Sequence, residues 1–415
     1  MKKCILTTAI LSIAISAYTQ TVREKKVLFI IADGIPADVI EKVSTPDIDK
    51  IIETGSYTRM NVGGDKGTYN ETPTISAVGY NSLLTGTWVN KHHVFDNDIK
   101  QPNYHYFNIF RILKEQHPNK KTAIFSSWLD NRTRLVGDRP ADAGNIQVDF
   151  HFDGYELDTV NFPHDDKSAY MQKIDERVTF EASSFVEKHG PDLSWVYLQY
   201  TDDMGHMYGD SPQFYKAVEK LDEQVGKISA AISYRQKNFH EDWLLILTTD
   251  HGRSEKDGRG HGGQSPRERG IWMVSNYPGL NNYARQREPA IVDIMPSIAN
   301  FMGFNIPKQT RQEIDGVPFI GNVSVSNLKV NCFQGQMDLT WNAFQDTGTV
   351  KVLVSTSNNF RIGKPDHYEL LGEFPVQQKH ALVDVRRLPS TFYKIVLEGA
   401  DNSLNRWVLT EEKNK

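Results

Sequence analysis

Between residues 26 and 320, short continuous apolar runs at 27–32, 122–126, 195–200, 243–248 and 271–274 alternate with segments of helical periodicity. A strand reads as an unbroken apolar run when helices cover both faces of its sheet. The alternation therefore predicts an α/β domain with a largely parallel sheet flanked by helices. Several helix ends are legible. Ser211 is placed to cap a helix with Pro212 at its first position and Tyr215, Val218, Leu221, Val225, Ile228 and Ile232 at spacings of three and four. Another starts at Thr45 and Pro46, turns Ile48, Ile51 and Ile52 inward and stops at Gly55. From residue 326 to 412 the period changes to two: Met337, Leu339, Trp341; Val350, Val352, Val354; Tyr393, Ile395, Leu397; Trp407, Leu409. Such alternation belongs to half-buried antiparallel strands and predicts a small all-β sandwich, with the boundary in the polar stretch 321–327.

The 415 residues suffice for about two to four domains. A composition of 39% hydrophobic and 24% charged residues excludes a disordered chain and a polytopic membrane protein. A net charge of -5 offers no polycationic field, which disfavours nucleic-acid architectural binding. With only two cysteines, a disulfide scaffold and a four-cysteine zinc site are also excluded, so any metal falls to His and Asp. Lys2 and Lys3 before the apolar run 4–17 form a secretory signal pattern, the alternative being an uncleaved anchor. Residues 1–20 are thus expected to be a signal peptide, and the product periplasmic or secreted, without stable membrane insertion after cleavage. Cleavage removes Cys4, Lys2 and Lys3, takes the net charge from -5 to -7 and leaves Cys332 as the only thiol.

Three of the predicted strands end in an aspartate: Asp33, Asp202 and Asp250. In a parallel sheet the carboxyl ends share one edge, where ligands bind, so the three carboxylates are expected to converge. His206 follows Asp202 by four residues, His251 follows Asp250 directly, and His261 stands in Gly260-His261-Gly262-Gly263. Singly, an aspartate at a strand end also serves as a helix cap and a histidine as a packed residue. Together, three Asp and three His make two metal sites, and mixed imidazole and carboxylate ligation suits zinc first, then manganese or iron. The glycines beside the histidines (Gly205, Gly252, Gly260, Gly262, Gly263) are expected to let backbone approach the metals.

The stretch from Thr72 to Gly86, with the strand-Asp33-Gly34 start, the Thr45–Asp49 segment, Asp202-x-x-x-His206, Asp250-His251-Gly252 and His261-Gly262, resembles the alkaline phosphatase superfamily. In that family the nucleophile opens a helix ten residues before the glycine of a Thr-Gly pair, which here places it at Ser76 ahead of Gly86. The resemblance implies one metal on Asp202, His206 and His261, and another on Asp33, Asp250, His251 and the Ser76 oxygen, so two divalent ions with zinc favoured. Thr74 is the competing nucleophile. A serine needs a base or cation to activate it, and a metal with a helix N-terminus supplies this. Val78 and Tyr80 stand where sulfatases carry Pro and Arg, which disfavours formylglycine chemistry. Asn97 lies 21 residues beyond Ser76, after Thr85-Gly86 and His92-His93, as in the type I phosphodiesterase / nucleotide pyrophosphatase branch. That implies a hydrogen bond to a non-bridging phosphate oxygen.

The sequence Ala77-Val78-Gly79-Tyr80 departs from the Phe-Pro-Asn-His of that branch. The expected function is hydrolysis of a small phosphate ester through a phosphoserine, of the phosphodiesterase type, with a phosphomonoesterase as alternative. A non-catalytic exported binding protein and a phosphomutase or transferase are the rivals. Arg132 and Arg134 are candidates for an extra cation over the phosphate, against a solvated loop, and Tyr80, Trp88 and Trp128 for flanking the leaving group, against core packing. The β module resembles a fibronectin type III module through Trp341 in an early strand and Leu388, Pro389 and Tyr393 later, with a role in bracing the enzyme or binding glycan or protein.

Overall fold

The structure is a computed structural model that describes residues 23–286 and 289–410; the expected signal segment, Cys4 included, lies outside the described residues. Seven of the described strands form one mixed sheet: β1 (Glu24–Ala32), β2 (Ser56–Asn61), β3 (Thr122–Ser126), β4 (Phe150–Phe152), β5 (Leu193–Leu198), β6 (Glu241–Thr248) and β7 (Gly270–Ser275), in the order β2-β7-β6-β1-β5-β3-β4. The five strands from β6 to β4 are parallel, whereas β7 pairs antiparallel with β6 and β2. The largely parallel α/β class holds, with an antiparallel margin that the apolar run 271–274 does not betray. Because β7 returns without a crossover, the whole connection 249–269 stays at the carboxyl edge of the sheet, and Asp250, His251 and His261 stay with it.

The buried stretch of β1 alternates its side chains between two apolar layers. Leu28 and Ile30 face a layer with Val178, Val186, Val218, Leu221, Val225 and Ile228 of the helices Ala169–His189 and Pro212–Asn238. Val27, Phe29 and Ile31 face a second layer containing Leu83, Leu84, Ile109, Ile294 and Ile298, which continues into the interior of the C-terminal sheets. Ser211 Oγ accepts from Phe214 N at 3.2 Å, as the sequence implies for the Pro212–Asn238 helix. Strand β5 is shorter than its apolar run: Tyr200 already belongs to the helix Tyr200–Tyr208, so Asp202 lies in a first helical turn rather than at a strand end. The cause is Asp175, whose carboxylate accepts from the amides of Gln199 (3.1 Å) and Tyr200 (2.8 Å) and starts the helix there.

The C-terminal strands are β8 (Val325–Phe333), β9 (Gln336–Ala343), β10 (Thr349–Ser355), β11 (Glu369–Pro375), β12 (His380–Asp384), β13 (Phe392–Glu398) and β14 (Ser403–Leu409). They form two antiparallel sheets, β12-β9-β8 and β11-β10-β13-β14. Met337, Leu339, Trp341, Val350, Val352 and Val354 point inward as their alternation predicts. In β14 the alternation misleads: Leu409 is 64% exposed, Leu404 is buried, and Trp407 stacks on Tyr69. This strand packs against the first domain, where Asn405 donates to Ile314 O and accepts from Lys91 Nζ. Among the described residues no helix is long and apolar enough to cross a membrane.

Candidate functional site

Asp33 follows β1 directly, Asp202 and His206 stand one turn apart on the helix Tyr200–Tyr208, and Asp250, His251 and His261 come from the connection after β6. At the sheet's carboxyl edge they gather into two groups, Asp202/His206/His261 and Asp33/Asp250/His251, with the ligand atoms of each within 4.8 Å of one another. In the first, His206 Nε2 lies 3.0 Å from His261 Nε2 and 3.3 Å from Asp202 Oδ2. In the second, His251 Nε2 lies 3.4 Å from Asp33 Oδ1 and 3.3 Å from Asp250 Oδ2. The His251 and His261 rings stack at 3.7 Å, which sets the groups side by side. His251 Nδ1 is 2.9 Å from Gly252 O and His261 Nδ1 is 2.9 Å from Thr74 O. A carbonyl can only accept, so Nδ1 carries the proton in each ring and Nε2 presents a lone pair to the cluster.

The donor set fits cations. Asp33 Oδ1 and Asp250 Oδ2 are buried without a hydrogen-bond partner, and an unpaired buried carboxylate is costly. Burial and the nearby Asp202 push the Asp33 carboxyl up to about 7. Burial and Asp33 raise Asp250 well above the carboxylate range. Burial, with His261 beside it, pushes His251 well below its ordinary value. Crowded carboxylates facing imidazole lone pairs are the arrangement that a divalent cation relieves.

Ser76 is the first residue of the helix Ser76–Thr85, buried, with Oγ 3.4 Å from His251 Nε2. Ala77 N donates to Asn97 Oδ1 at 3.0 Å, which ties the Asn97 loop to the residue after the serine. Thr74 is otherwise engaged: its Oγ1 donates to Gly263 O (2.9 Å) and accepts from Gly262 N (3.0 Å). The arginine candidates serve structure. Arg132 pairs with Asp138 and Asp153 at 2.6 Å each, and Arg134 reaches Asp98 O at 2.7 Å. Tyr80 and Trp88 are buried and Trp128 is packed against the core. Of the glycines expected to admit the metals, three make room for protein: a Cβ on Gly205 would lie 2.1 Å from Arg253 Cζ, one on Gly252 1.9 Å from Arg267 O and one on Gly263 2.8 Å from Glu268 Oε2, while Gly260 and Gly262 have no such close neighbour.

Tyr197 and Arg253 carry no sequence signal of their own, and Tyr80 stands out in the sequence only as a leaving-group flank or a core aromatic. Tyr80 and Tyr197 both donate their hydroxyls to Asp33 Oδ2, the latter at 2.7 Å. Arg253 is fully buried; it donates to Gly34 O (2.8 Å), to Asp202 O (2.8 Å) and to Asp202 Oδ1. Burial alone would raise the Asp202 carboxyl, but Arg253 and His206 hold it well below the usual range. Adjacency to Asp250-His251-Gly252 was the one clue to Arg253 in the sequence.

Human ectonucleotide pyrophosphatase/phosphodiesterase family member 5 is 23% identical over 241 residues, 56% of this chain and 46% of that protein. Venom phosphodiesterase CdcPDE of Crotalus durissus collilineatus is 24% identical over 234 residues, 54% of this chain and 26% of its own length. The chain therefore spans less than half the length of either relative. Among solved structures, that of Ps i-CgsB matches with a TM-score of 0.52 at 16% identity, over 78% of this chain and 83% of the other, which is a likeness of fold. A model of the type I phosphodiesterase / nucleotide pyrophosphatase family matches residues 27–290, well over half the sequence, and the chain belongs to that family.

Proposed function

We propose that the protein is an exported hydrolase of small phosphate esters that works through a phosphoserine on Ser76 with two divalent ions, zinc favoured. The observation that carries the reading is the position of Ser76 Oγ, at a helix N-terminus 3.4 Å from His251 Nε2 and beside two groups of buried carboxylate and imidazole donors. Asp202, His206 and His261 would hold one cation, and Asp33, Asp250, His251 and Ser76 the other. When bound, such ions neutralise phosphate charge and lower the pKa of a hydroxyl, the chemistry a serine otherwise lacks at neutral pH. Ser76 Oγ, its proton lost to solvent, attacks phosphorus in line and expels the ester oxygen, which takes a proton from solvent as it leaves as the alcohol; water then attacks the phosphoserine, the serine oxygen is reprotonated and the phosphate product departs. The Asn97 Oδ1 bond to Ala77 N leaves its amide protons for a non-bridging phosphate oxygen.

Family membership supports a diester substrate. The alternative monoesterase reading is favoured by Ala77, a methyl side chain next to the nucleophile that offers no aromatic face to a leaving group. For the C-terminal sandwich we infer the fibronectin type III kind. It is supported by the three-plus-four strand arrangement and by Tyr393, whose hydroxyl donates to Leu388 O at 2.8 Å in the manner of a tyrosine corner. Export rests on the basic and apolar leader, and N-terminal sequencing of the extracytoplasmic product tests it.

Ser76→Ala, folded and zinc-loaded, is expected to lose at least about a thousandfold in turnover, and Asn97→Ala about a hundredfold. Parallel assays on nitrophenyl phosphate and bis-nitrophenyl phosphate separate the two ester classes. A Ser76→Ala protein that keeps most of its turnover would overturn the mechanism.

A further inference from the structure

We infer that the C-terminal sandwich positions the catalytic centre, with Trp407 and Tyr69 as the positioning pair; this rests on the functional reading given above. The loop 63–72 leads into Ser76 and is closed at its base by Thr72 N donating to Gly63 O at 2.9 Å. Beyond that base the chain is bonded to the His261 loop through Thr72 and Thr74. Gln264 Nε2 donates to Thr72 O (2.7 Å), Thr74 Oγ1 donates to Gly263 O and accepts from Gly262 N, and His261 Nδ1 donates to Thr74 O. The carbonyl that orients His261 is thus two residues before the nucleophile, so a shift of this segment moves both.

The far end of the loop is held by β14. The Tyr69 and Trp407 rings stack at 5.5 Å and 16°, Trp407 N donates to the Tyr69 hydroxyl at 3.1 Å, and Arg406 lies 3.8 Å from Asp65. A cavity of about 420 Å³, lined by Val62, Gly64, Asp65, Ser326, Asn405 and Arg406, lies beside this contact. The loop therefore meets β14 through the ring pair, the Trp407 amide and Arg406, while Arg269 Nη2 donates to Gly64 O at 2.6 Å from the first-domain side. Stacked rings with one shared hydrogen bond hold position in both distance and tilt. Trp407 shares its face of β14 with Asn405, two residues earlier, which bonds Ile314 O and Lys91 of the first domain, so the alternation of the strand itself turns the indole toward that domain. Groups that orient a metal's histidine through its second nitrogen typically govern affinity by about ten- to a hundredfold.

The test uses the full chain, zinc titrations against a competing chelator, and turnover of a nitrophenyl ester. Trp407→Ala is expected to weaken one of the two zinc ions about tenfold and to lower kcat by a similar factor, with KM within about threefold. Tyr69→Leu, which removes the stack from the first-domain side without touching the sandwich, should reproduce this loss; Tyr69→Phe, which keeps the stack, should show less. Leu409→Ala, exposed at the end of the same strand, should change neither. Folded Trp407→Ala or Tyr69→Leu protein with both zinc affinities and kcat within about twofold of the parent would overturn the inference, as would equal weakening of both ions together with a lower Tm. If Ser76→Ala keeps its turnover the catalytic reading fails on its own, while the zinc affinities still decide whether the sandwich positions His261.

Discussion

Asp33 divides its two oxygens between different tasks. Oδ2 accepts from the Tyr80 and Tyr197 hydroxyls, and Oδ1, with no hydrogen-bond partner, faces His251 Nε2 at 3.4 Å. The phenols fix the plane of the carboxylate and so direct the other oxygen into the cluster. Tyr80→Phe keeps the buried ring and deletes one donor. Its expected effect is a loss of about tenfold in affinity for one divalent ion with little change in Tm, read by chelator competition, and a larger loss in the double variant with Tyr197→Phe. Of the two roles the sequence leaves open for Tyr80, flanking a leaving group or packing in the core, the structure shows the second. Four residues after Ser76 on a helix is one turn along the same face, and that face is buried against Trp195 and Tyr197.

Two helix starts in this protein depend on carboxylates lent by other elements. Asp222, from the helix Pro212–Asn238, accepts from the amides of Asp47 (3.0 Å) and Ile48 (2.7 Å) at the start of Pro46–Thr54, where Thr45 makes no side-chain cap. Asp175 does the same for Tyr200–Tyr208 and thereby sets Asp202 and His206. Asp293, at the start of Ile294–Met302, accepts from Ala290 N, Val317 N and the Tyr283 hydroxyl, each at 2.7 Å. Burial pushes Asp293 up to about 7, above its ordinary 3.8. The folded state then binds more protons than the unfolded state between about pH 4 and about pH 7, so stability falls as pH rises through that window. One such group contributes at most about 1.4 kcal/mol per pH unit. Urea unfolding of Asp293→Asn, which mimics the protonated acid, should show a flatter dependence on pH than the parent across that window.

Between the two halves of the molecule lies a buried ionic network. Lys91 Nζ contacts Asp315 Oδ1 (2.6 Å), Glu313 O (2.6 Å) and Asn405 Oδ1 (2.7 Å), while Lys394 contacts Glu313 Oε1 (2.6 Å) and Asp366 Oδ2 (2.7 Å). Both lysine side chains are fully buried. Replacing Lys394 by Met leaves two buried carboxylates without their cation, a change expected to cost about 3 to 5 kcal/mol and to appear as a lower urea midpoint. The apolar core runs on past the stretch 321–327, and Val323 and Val325 are buried in it. The residue pattern alone carried the division into a helix-covered sheet and a β module, the strands at 27–32, 122–126 and 243–248, and the Asp and His residues of the cluster. These follow from local periodicity and from the edge rule of parallel sheets, which need no knowledge of long-range partners. Folding added the direction of β7, the early start of the helix at Tyr200, the roles of Arg253, Tyr197 and Asp175, and the grip of Trp407 on Tyr69. Each of those depends on a hydrogen bond or ring contact between residues far apart in the chain, and a local period holds no record of such a partner.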